Sequence, residues 1–281
     1  MVRRFKKKQV RGFLFQLFMI VLVMALFYPV LMIFFMSMKD DMEILLSPLS
    51  LPGSFQFDNY KSAFEQMDFI RVFLNSLFIT STSVAVGTVV YCISGYALVR
   101  AKKHRWVFMM MYVLFLLGLV LPAQSTLIPL LYLYKVMGLM NTYRGITLLY
   151  ICGGASFSIF LITGFINTVP ITLEEAASLD GCTPFGIFFR IVFPLLKPII
   201  STLIIINAVN IWNDFFNPLM FMSGKAGRTI TLAVYMFKGQ YSTQWNVLFA
   251  GLVLATLPMM IVYFILQKYM IAGMTSGAVK S

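Results

Sequence analysis

The chain has 281 residues, of which 60% are apolar and only 11% charged, with a mean hydropathy of +0.87 and a formal net charge of +12. A water-soluble domain is nearer half apolar and a quarter charged, so this composition excludes an ordinary soluble fold. Most of the positive charge sits in two short clusters beside apolar runs. That excludes a basic face for nucleic acid and fits the orientation of membrane spans against anionic lipid.

In chain order, Arg3, Arg4, Lys6, Lys7, Lys8 and Arg11 precede a charge-free run over residues 12–38. Such a run exceeds the roughly 20 residues that cross about 30 Å of hydrocarbon. It is too long for a signal peptide, and no small-x-small site follows before Lys39, so it reads as a retained anchor. Residues 1–12 are then a basic cytoplasmic N-terminus and 13–38 the first span. Residues 39–71 carry six acids against three bases and form an external loop, ordered by the turn formers Pro48, Pro52, Gly53 and Asp58-Asn59. A second charge-free run covers 72–99, where the hydroxyls of Thr80, Ser81, Thr82 and Ser83 are expected to bond their own helix. Arg100, Lys102, Lys103, His104 and Arg105 follow it, as a cytoplasmic hairpin requires.

The third charge-free run, 106–134, is interrupted by Pro122, Gln124, Ser125, Thr126 and Pro129. Proline there frees backbone carbonyls, tolerable only against protein or a wet cavity, so a kink beside a pathway is expected, with simple packing against neighbouring helices as the alternative. Lys135 and Arg144 bracket a short external turn and are placed to snorkel towards headgroups. A fourth run covers 145–173, a fifth span is sought between 195 and 222, and a sixth run covers 239–267. The expected fold is an all-α membrane protein with six transmembrane helices and both termini in the cytoplasm. Residues 72–270 form the transmembrane domain, with a polar loop at 170–198, and 271–281 form a cytoplasmic tail.

That loop, PITLEEAASLDGCTPFGIFFRIVFPLLKP, is the main break in the apolar pattern, with three acids, two bases, two glycines and four prolines. Thr172 and Glu175 have the spacing of a capping box, predicting a helix from near Leu173. Asp180-Gly181 supplies its stop, and Thr183-Pro184 reads as an N-cap with proline at the first helical position of a second helix. Phe185, Phe188, Phe189 and Val192 recur at helical steps and predict one greasy side. Two short helices between spans form a docking surface.

In the fifth span, Asn207, Asn210, Asp214 and Asn217 fall at i, i+3, i+7 and i+10, on one helical face about 80° wide. Amides and a carboxylate in hydrocarbon are costly, so the face looks at a neighbouring helix or at water. It either lines a path for a polar, multi-hydroxyl solute or bonds across the bundle as interhelical glue, and Asp214, near the outer end, also fits an ordinary interfacial carboxylate. Asn213 lies at the edge of the stripe and Trp212 points away, as packing or an interface anchor.

Cys92, Cys152 and Cys182 are odd in number and far apart, forming neither a metal site nor a disulfide framework. No G-x-x-x-x-G-K stretch is present, so this chain has no nucleotide-phosphate loop of that kind.

Glu175-Ala176-Ala177, Gly181, Ile191 and Pro194 resemble the E-A-A-x-x-x-G-x(9)-I-x-L-P signature of permease subunits of ABC importers, with Phe193 where the pattern has leucine. The resemblance extends over the whole chain through Asn75-Ser76, Gly138-Leu139, Asn141-Thr142 and Trp212-Asn213-Asp214. Together with the tail from Thr275, these look like the carbohydrate branch, most like the smaller permease of the maltose-transporter type. The resemblance implies that Glu175, Ala176, Ala177, Asp180, Gly181, Ile191 and Pro194 couple to a cytoplasmic ATPase. It implies a second homologous permease, two ATPase subunits holding the ATP-Mg, and an extracytoplasmic solute-binding protein, with no cofactor on this chain and no catalysis by it. Asn207, Asn210, Asp214, Asn217 and Gln124 are the candidate substrate-pathway residues for a sugar or oligosaccharide. The alternatives are an importer of another polar solute and, from a different class, an ion-coupled secondary carrier in the cell membrane. A carrier needs intramembrane ionisable groups, and Asp214 is nearly all there is.

Overall fold

The computed structural model describes residues 2–101, 103–222, 224, 227–239 and 243–278, and their side chains except at 2–11, 13, 123 and 266–278. The basic residues before Gly12 and the end of the tail, Lys280 and Ser281, therefore lie outside the described side chains. Among the described residues the chain is helical, with one isolated antiparallel bridge between Lys238 and Thr243. The helices are α1 (Val2–Met36), α2 (Asp41–Leu46), α3 (Asp58–Gln66), α4 (Phe69–Arg100), α5 (Arg105–Val120), α6 (Leu127–Val136) and α7 (Tyr143–Ile166). They continue as α8 (Ile171–Leu179), α9 (Pro184–Ile187), α10 (Phe193–Leu195), α11 (Lys197–Asn213), α12 (Phe216–Phe221), α13 (Ile230–Tyr235) and α14 (Trp245–Ala278).

Among the described residues, four helices are long and apolar enough to cross a membrane: Leu14–Met36 of α1, α4, α7 and Trp245–Ile265 of α14. The count reaches six if two bent pairs, one of α5 with α6 and one ending in α11, are each a single span. The third predicted span is thus sharply broken, where a kink was expected. Leu121 and Pro122 are extended, with ψ of 126° and 127°, and a 3-10 turn Ala123–Thr126 leads into α6. A proline cannot donate to the preceding turn and disfavours helical geometry in the residue before it, so the helix stops at Val120. Leucine, phenylalanine and methionine side chains along α1 and α5 are exposed over most of their length. Unpartnered apolar surface on this scale fits lipid as the solvent.

Contacts divide the chain into two compact units. The first comprises residues 1–69 and 234–256, the second 70–233 and 257–281. In the first unit Ala63, Val247 and Ala250 pack with Tyr60, Phe237 and Leu254. Polar bonds order the 39–71 loop. Asp40 Oδ1 accepts the Glu43 N–H at 2.7 Å to cap α2, and Asp41 Oδ1 accepts the Asn246 N–H at 2.8 Å at the start of α14. Fully buried Lys39 donates to the Ser47 carbonyl at 2.7 Å and to Ser50 Oγ at 2.9 Å.

The core of the second unit joins Tyr91 and Cys92 of α4, Ile159, Ile162 and Ile166 of α7, Ala177 of α8, Ile187, Phe188 and Val192, and Ile200 and Leu203 of α11. Gly95 lets α4 approach α7, because a Cβ there would stand 2.6 Å from Ile162 Cγ2. A smaller cluster gathers Ile79, Tyr134, Ile146, Phe221 and Met222. On α4, Ser81 and Thr82 donate to the Phe78 carbonyl as expected, at 3.2 and 2.6 Å. Thr80 and Ser83 instead turn inwards and are buried without a hydrogen-bond partner among the described residues.

Replacing Gly95 by valine is expected to destabilise the protein by about 1–3 kcal/mol through overpacking against Ile162. Gly153→Ala on α7, where a Cβ would meet nothing within 4 Å, is expected to be neutral or stabilising by up to ~1 kcal/mol. Thermal unfolding of the detergent-solubilised variants reads the contrast.

Candidate functional site

The loop between α7 and α11 is built from local backbone rules. α8 starts at Ile171, directly after Pro170, whose φ of −60° and ψ of 126° fix an extended entry. The predicted capping box does not form. Thr172 and Glu175 both lie inside the helix with exposed side chains, and the N-cap position belongs to a proline that has no side-chain acceptor. The predicted stop is present: Asp180 is the C-cap and Gly181 takes φ of +82°, a region that side chains with a Cβ avoid. Thr183 also caps as expected, its Oγ1 accepting the Gly186 N–H at 3.2 Å, with Pro184 opening α9.

Between α9 and α10 the helix widens into a π segment, Phe188–Val192, just ahead of Pro194. Proline lacks the N–H that would continue the regular ladder, and π segments absorb such a misfit. The greasy side is narrower than the spacing suggested. Ile187, Phe188 and Val192 are buried, while Phe185 is 73% exposed and Phe189 is also exposed.

The loop therefore has two faces. Glu174, Ala177, Ile187, Phe188 and Val192 point into the helices, whereas Glu175, Ala176, Leu179, Asp180, Gly181 and Phe185 face outwards. Ile191 is half-buried and Pro194 exposed. The buried side carries a charged cluster that sequence reasoning missed. Glu174 Oε1 accepts from Arg100 Nε at 2.8 Å, and Glu174 Oε2 accepts from Tyr96 Oη at 2.8 Å. Arg100 Nη2 also donates to the Val169 carbonyl at 2.8 Å and the Ile166 carbonyl at 3.3 Å. One signal was available. Glu174 lies three residues before Ala177, on the same helical face, and about 100° round the helix from the exposed Glu175.

The polar stripe is not one helical face. α11 ends at Asn213, and Asp214, with ψ of 126°, breaks the chain before α12, so Asn217 belongs to a different helix. Asp214 holds this break together. Its Oδ1 accepts the Phe216 and Asn217 N–H groups at 2.9 and 3.3 Å, and its Oδ2 accepts from Asn217 Nδ2 at 2.6 Å and Tyr150 Oη at 3.0 Å. Asn207 Nδ2 donates to the Leu203 carbonyl of its own helix at 3.0 Å and to Ser158 Oγ of α7 at 3.3 Å. Asn210 and Asn213 are exposed on α11, and Gln124 is exposed on the 3-10 turn. Trp212 is buried edge-on against Phe73, with ring centroids 5.9 Å apart.

The remaining family-like pairs hold helix ends. Asn75 Nδ2 donates to the Arg228 carbonyl at 2.9 Å, its Oδ1 accepts from Tyr143 Oη at 2.7 Å, and Ser76 Oγ accepts the Ile230 N–H at 2.8 Å. Gly138 and Asn141 take positive φ, and Thr142 Oγ1 caps α7 by accepting the Gly145 N–H at 3.0 Å. No group of three or more His, Cys, Asp or Glu arranged for a metal occurs among the described residues.

Residues 87–276 match the model of the binding-protein-dependent transport system inner membrane component family, and the chain belongs to it. It is 34% identical over 275 residues to the probable starch degradation products transport system permease protein AmyC of Thermoanaerobacterium thermosulfurigenes, covering 98% of this chain and 99% of that one. It is 35% identical over 254 residues to the multiple sugar-binding transport system permease protein MsmG of Streptococcus mutans, covering 90% and 91%. Its fold is similar to a chain of a bacterial ABC transporter involved in the import of the acidic polysaccharide alginate, with a TM-score of 0.78 at 23% identity over 93% of this chain and 96% of that one.

Asp214→Ala is expected to lower stability by about 1–2 kcal/mol, because the first N–H groups of α12 lose their acceptor. Asp214→Asn, which retains one acceptor oxygen, should cost less. Thermal unfolding of the two variants in one detergent measures the order.

Proposed function

We propose that this chain is one of two permease subunits of an ATP-driven importer for a sugar or oligosaccharide. The observation that carries the reading is the loop with two faces. Its inner side is anchored to α4, α7 and α11, while Glu175, Leu179, Gly181 and Phe185 are left open as a docking surface. A cytoplasmic ATPase subunit fits that surface, because an exposed leucine and phenylalanine beside a carboxylate form an apolar contact with a charged rim. The sugar assignment rests on relatives named for starch degradation products and multiple sugars.

In this reading the chain crosses the membrane six times with both termini inside. ATP-Mg is held by two partner ATPases, and a solute-binding protein delivers the sugar from outside. ATP binding closes the ATPase pair, the loop moves with it, and the spans reopen towards the binding protein. Nucleotide and loaded binding protein each shift the equilibrium by their differential affinity for the outward form. Asn210, exposed on α11, and Asn207 above Ser158 are the wall positions of the solute path, with Gln124 at the break in the third span. Asp214 and Asn217 bond to each other at the end of that wall. The ion-coupled carrier is disfavoured because the carboxylate of Asp214 is already taken up by four hydrogen-bond donors.

Uptake of labelled starch-hydrolysis oligosaccharides into vesicles should require ATP and all partner subunits, and should survive collapse of the proton gradient while ATP is maintained. Transport by this chain alone on an ion gradient overturns the reading. Gly181→Pro, which cannot take φ of +82°, and Glu175→Lys, which reverses the exposed charge, should each abolish uptake while the spans still insert. The ATPase subunits should then co-purify poorly or hydrolyse ATP without uptake. Normal uptake in both variants removes the coupling role.

A further inference from the structure

The root of the loop carries a directional connection distinct from its greasy packing. Ala177, Ile187, Phe188 and Val192 bury apolar surface, and the hydrophobic effect that favours this burial has no preferred direction. The carboxylate of Glu174 behaves differently. Each of its oxygens is held by a different residue of α4, Arg100 and Tyr96, which stand four apart on one helical face. Two bonds from two fixed points set the angle of α8 as well as its distance.

Arg100 ties in a third element, since its Nη2 donates to the Ile166 and Val169 carbonyls where α7 ends. A cation at a helix C-terminus and a carboxylate in the first turn of α8 both lie with their helix dipoles. The Tyr96 ring also packs on Phe188 at 5.1 Å, so the π segment is held from the same residue. Glu174 is 8% exposed, and the ion pair is nearly closed to solvent. Charge-assisted bonds are strongest under those conditions.

We propose that Tyr96, Arg100 and Glu174 form a latch that transmits displacement of the loop to α4 and α7, an inference that rests on the permease reading above. The adjacent glutamates divide the work. Glu175 faces the partner, and Glu174, turned inwards, is a positioning residue that makes the loop and the spans move as one body. Without the latch the loop still docks and the ATPase still closes, but α8 rotates on its apolar bed and the motion is lost before it reaches the spans.

The test uses the complete importer, reconstituted with its partner permease, ATPases and binding protein and supplied with labelled starch-hydrolysis oligosaccharides. Glu174→Gln keeps the size of the side chain but removes the charge and one acceptor. Arg100→Lys with Glu174→Gln keeps a cation to donate to the carbonyls at the end of α7 while removing the ion pair and the fixed fork of the guanidinium. Both variants are expected to co-purify with the ATPases in wild-type amounts and to hydrolyse ATP, while sugar delivered per ATP falls about tenfold, the scale of one lost charge-assisted bond. Tyr96→Phe, which leaves the ion pair intact, should fall in between. A wild-type ratio of sugar to ATP in Glu174→Gln or in the double variant overturns the latch. Failure of both to assemble also overturns it, because the cluster then serves only the fold. A wild-type complex without ATP-driven uptake overturns the importer reading itself, and that arm separates the two failures.

Discussion

Backbone N–H and C=O groups find no water in hydrocarbon, so a chain this apolar can interrupt a helix only where another group takes the freed partners. Several interruptions in the second unit obey that constraint. Asp214 supplies acceptors where α11 stops and α12 begins, Thr142 does so at the start of α7, and Arg100 supplies donors where α7 ends. Asn75 and Ser76 take up the carbonyl of Arg228 and the N–H of Ile230. Polar side chains at several of these breaks, Asp214, Thr142 and Arg100 among them, are committed to the backbone. Polar residues of this protein therefore read first as the fittings that allow a broken helix in lipid, while others, such as Asn210, stay exposed.

The same economy shapes the loop. Two short helices cannot stand alone against the entropy of ordering them, since isolated helices of this length are marginal in water. They are held by burying Ala177, Ile187, Phe188 and Val192 in the core of α4, α7 and α11, and by the pairing of Glu174 with Arg100. Burial on one side leaves the other side exposed, and the family signature residues Glu175, Ala176 and Gly181 fall there. A rigid anchor and an open face are what an element needs to pass force from a partner into a helical bundle. A surface loop on flexible linkers would absorb the force.

Much of this was legible in the residues. Charge-free runs marked the apolar helices because few charged side chains are tolerated in lipid, and Gly181 and Thr183-Pro184 were read correctly because those rules are local. The misreadings share one cause. The T-x-x-E spacing at Thr172 and Glu175 satisfied a local rule, but Pro170 set the helix start two residues earlier and Glu174 was drawn inwards by an arginine 74 positions away. The stripe from Asn207 to Asn217 assumed unbroken helical pitch, which ended at Asp214. The third apolar run was expected to bend, but with two extended residues and a 3-10 turn it breaks outright.

The sequence by itself determined the solvent, the class of fold and the position of the polar two-helix loop, because hydrophobicity, glycine conformation and proline chemistry act through near neighbours. Only the tertiary structure decided which of two adjacent glutamates faces inwards, which asparagine bonds across to α7, and that Asp214 serves as a cap. Those outcomes depend on partners 49 to 74 residues distant, Ser158 for Asn207, Tyr150 for Asp214 and Arg100 for Glu174. A hydrogen bond requires its two atoms within about 3 Å in the right direction, and no spacing along the chain encodes that for residues brought together by packing.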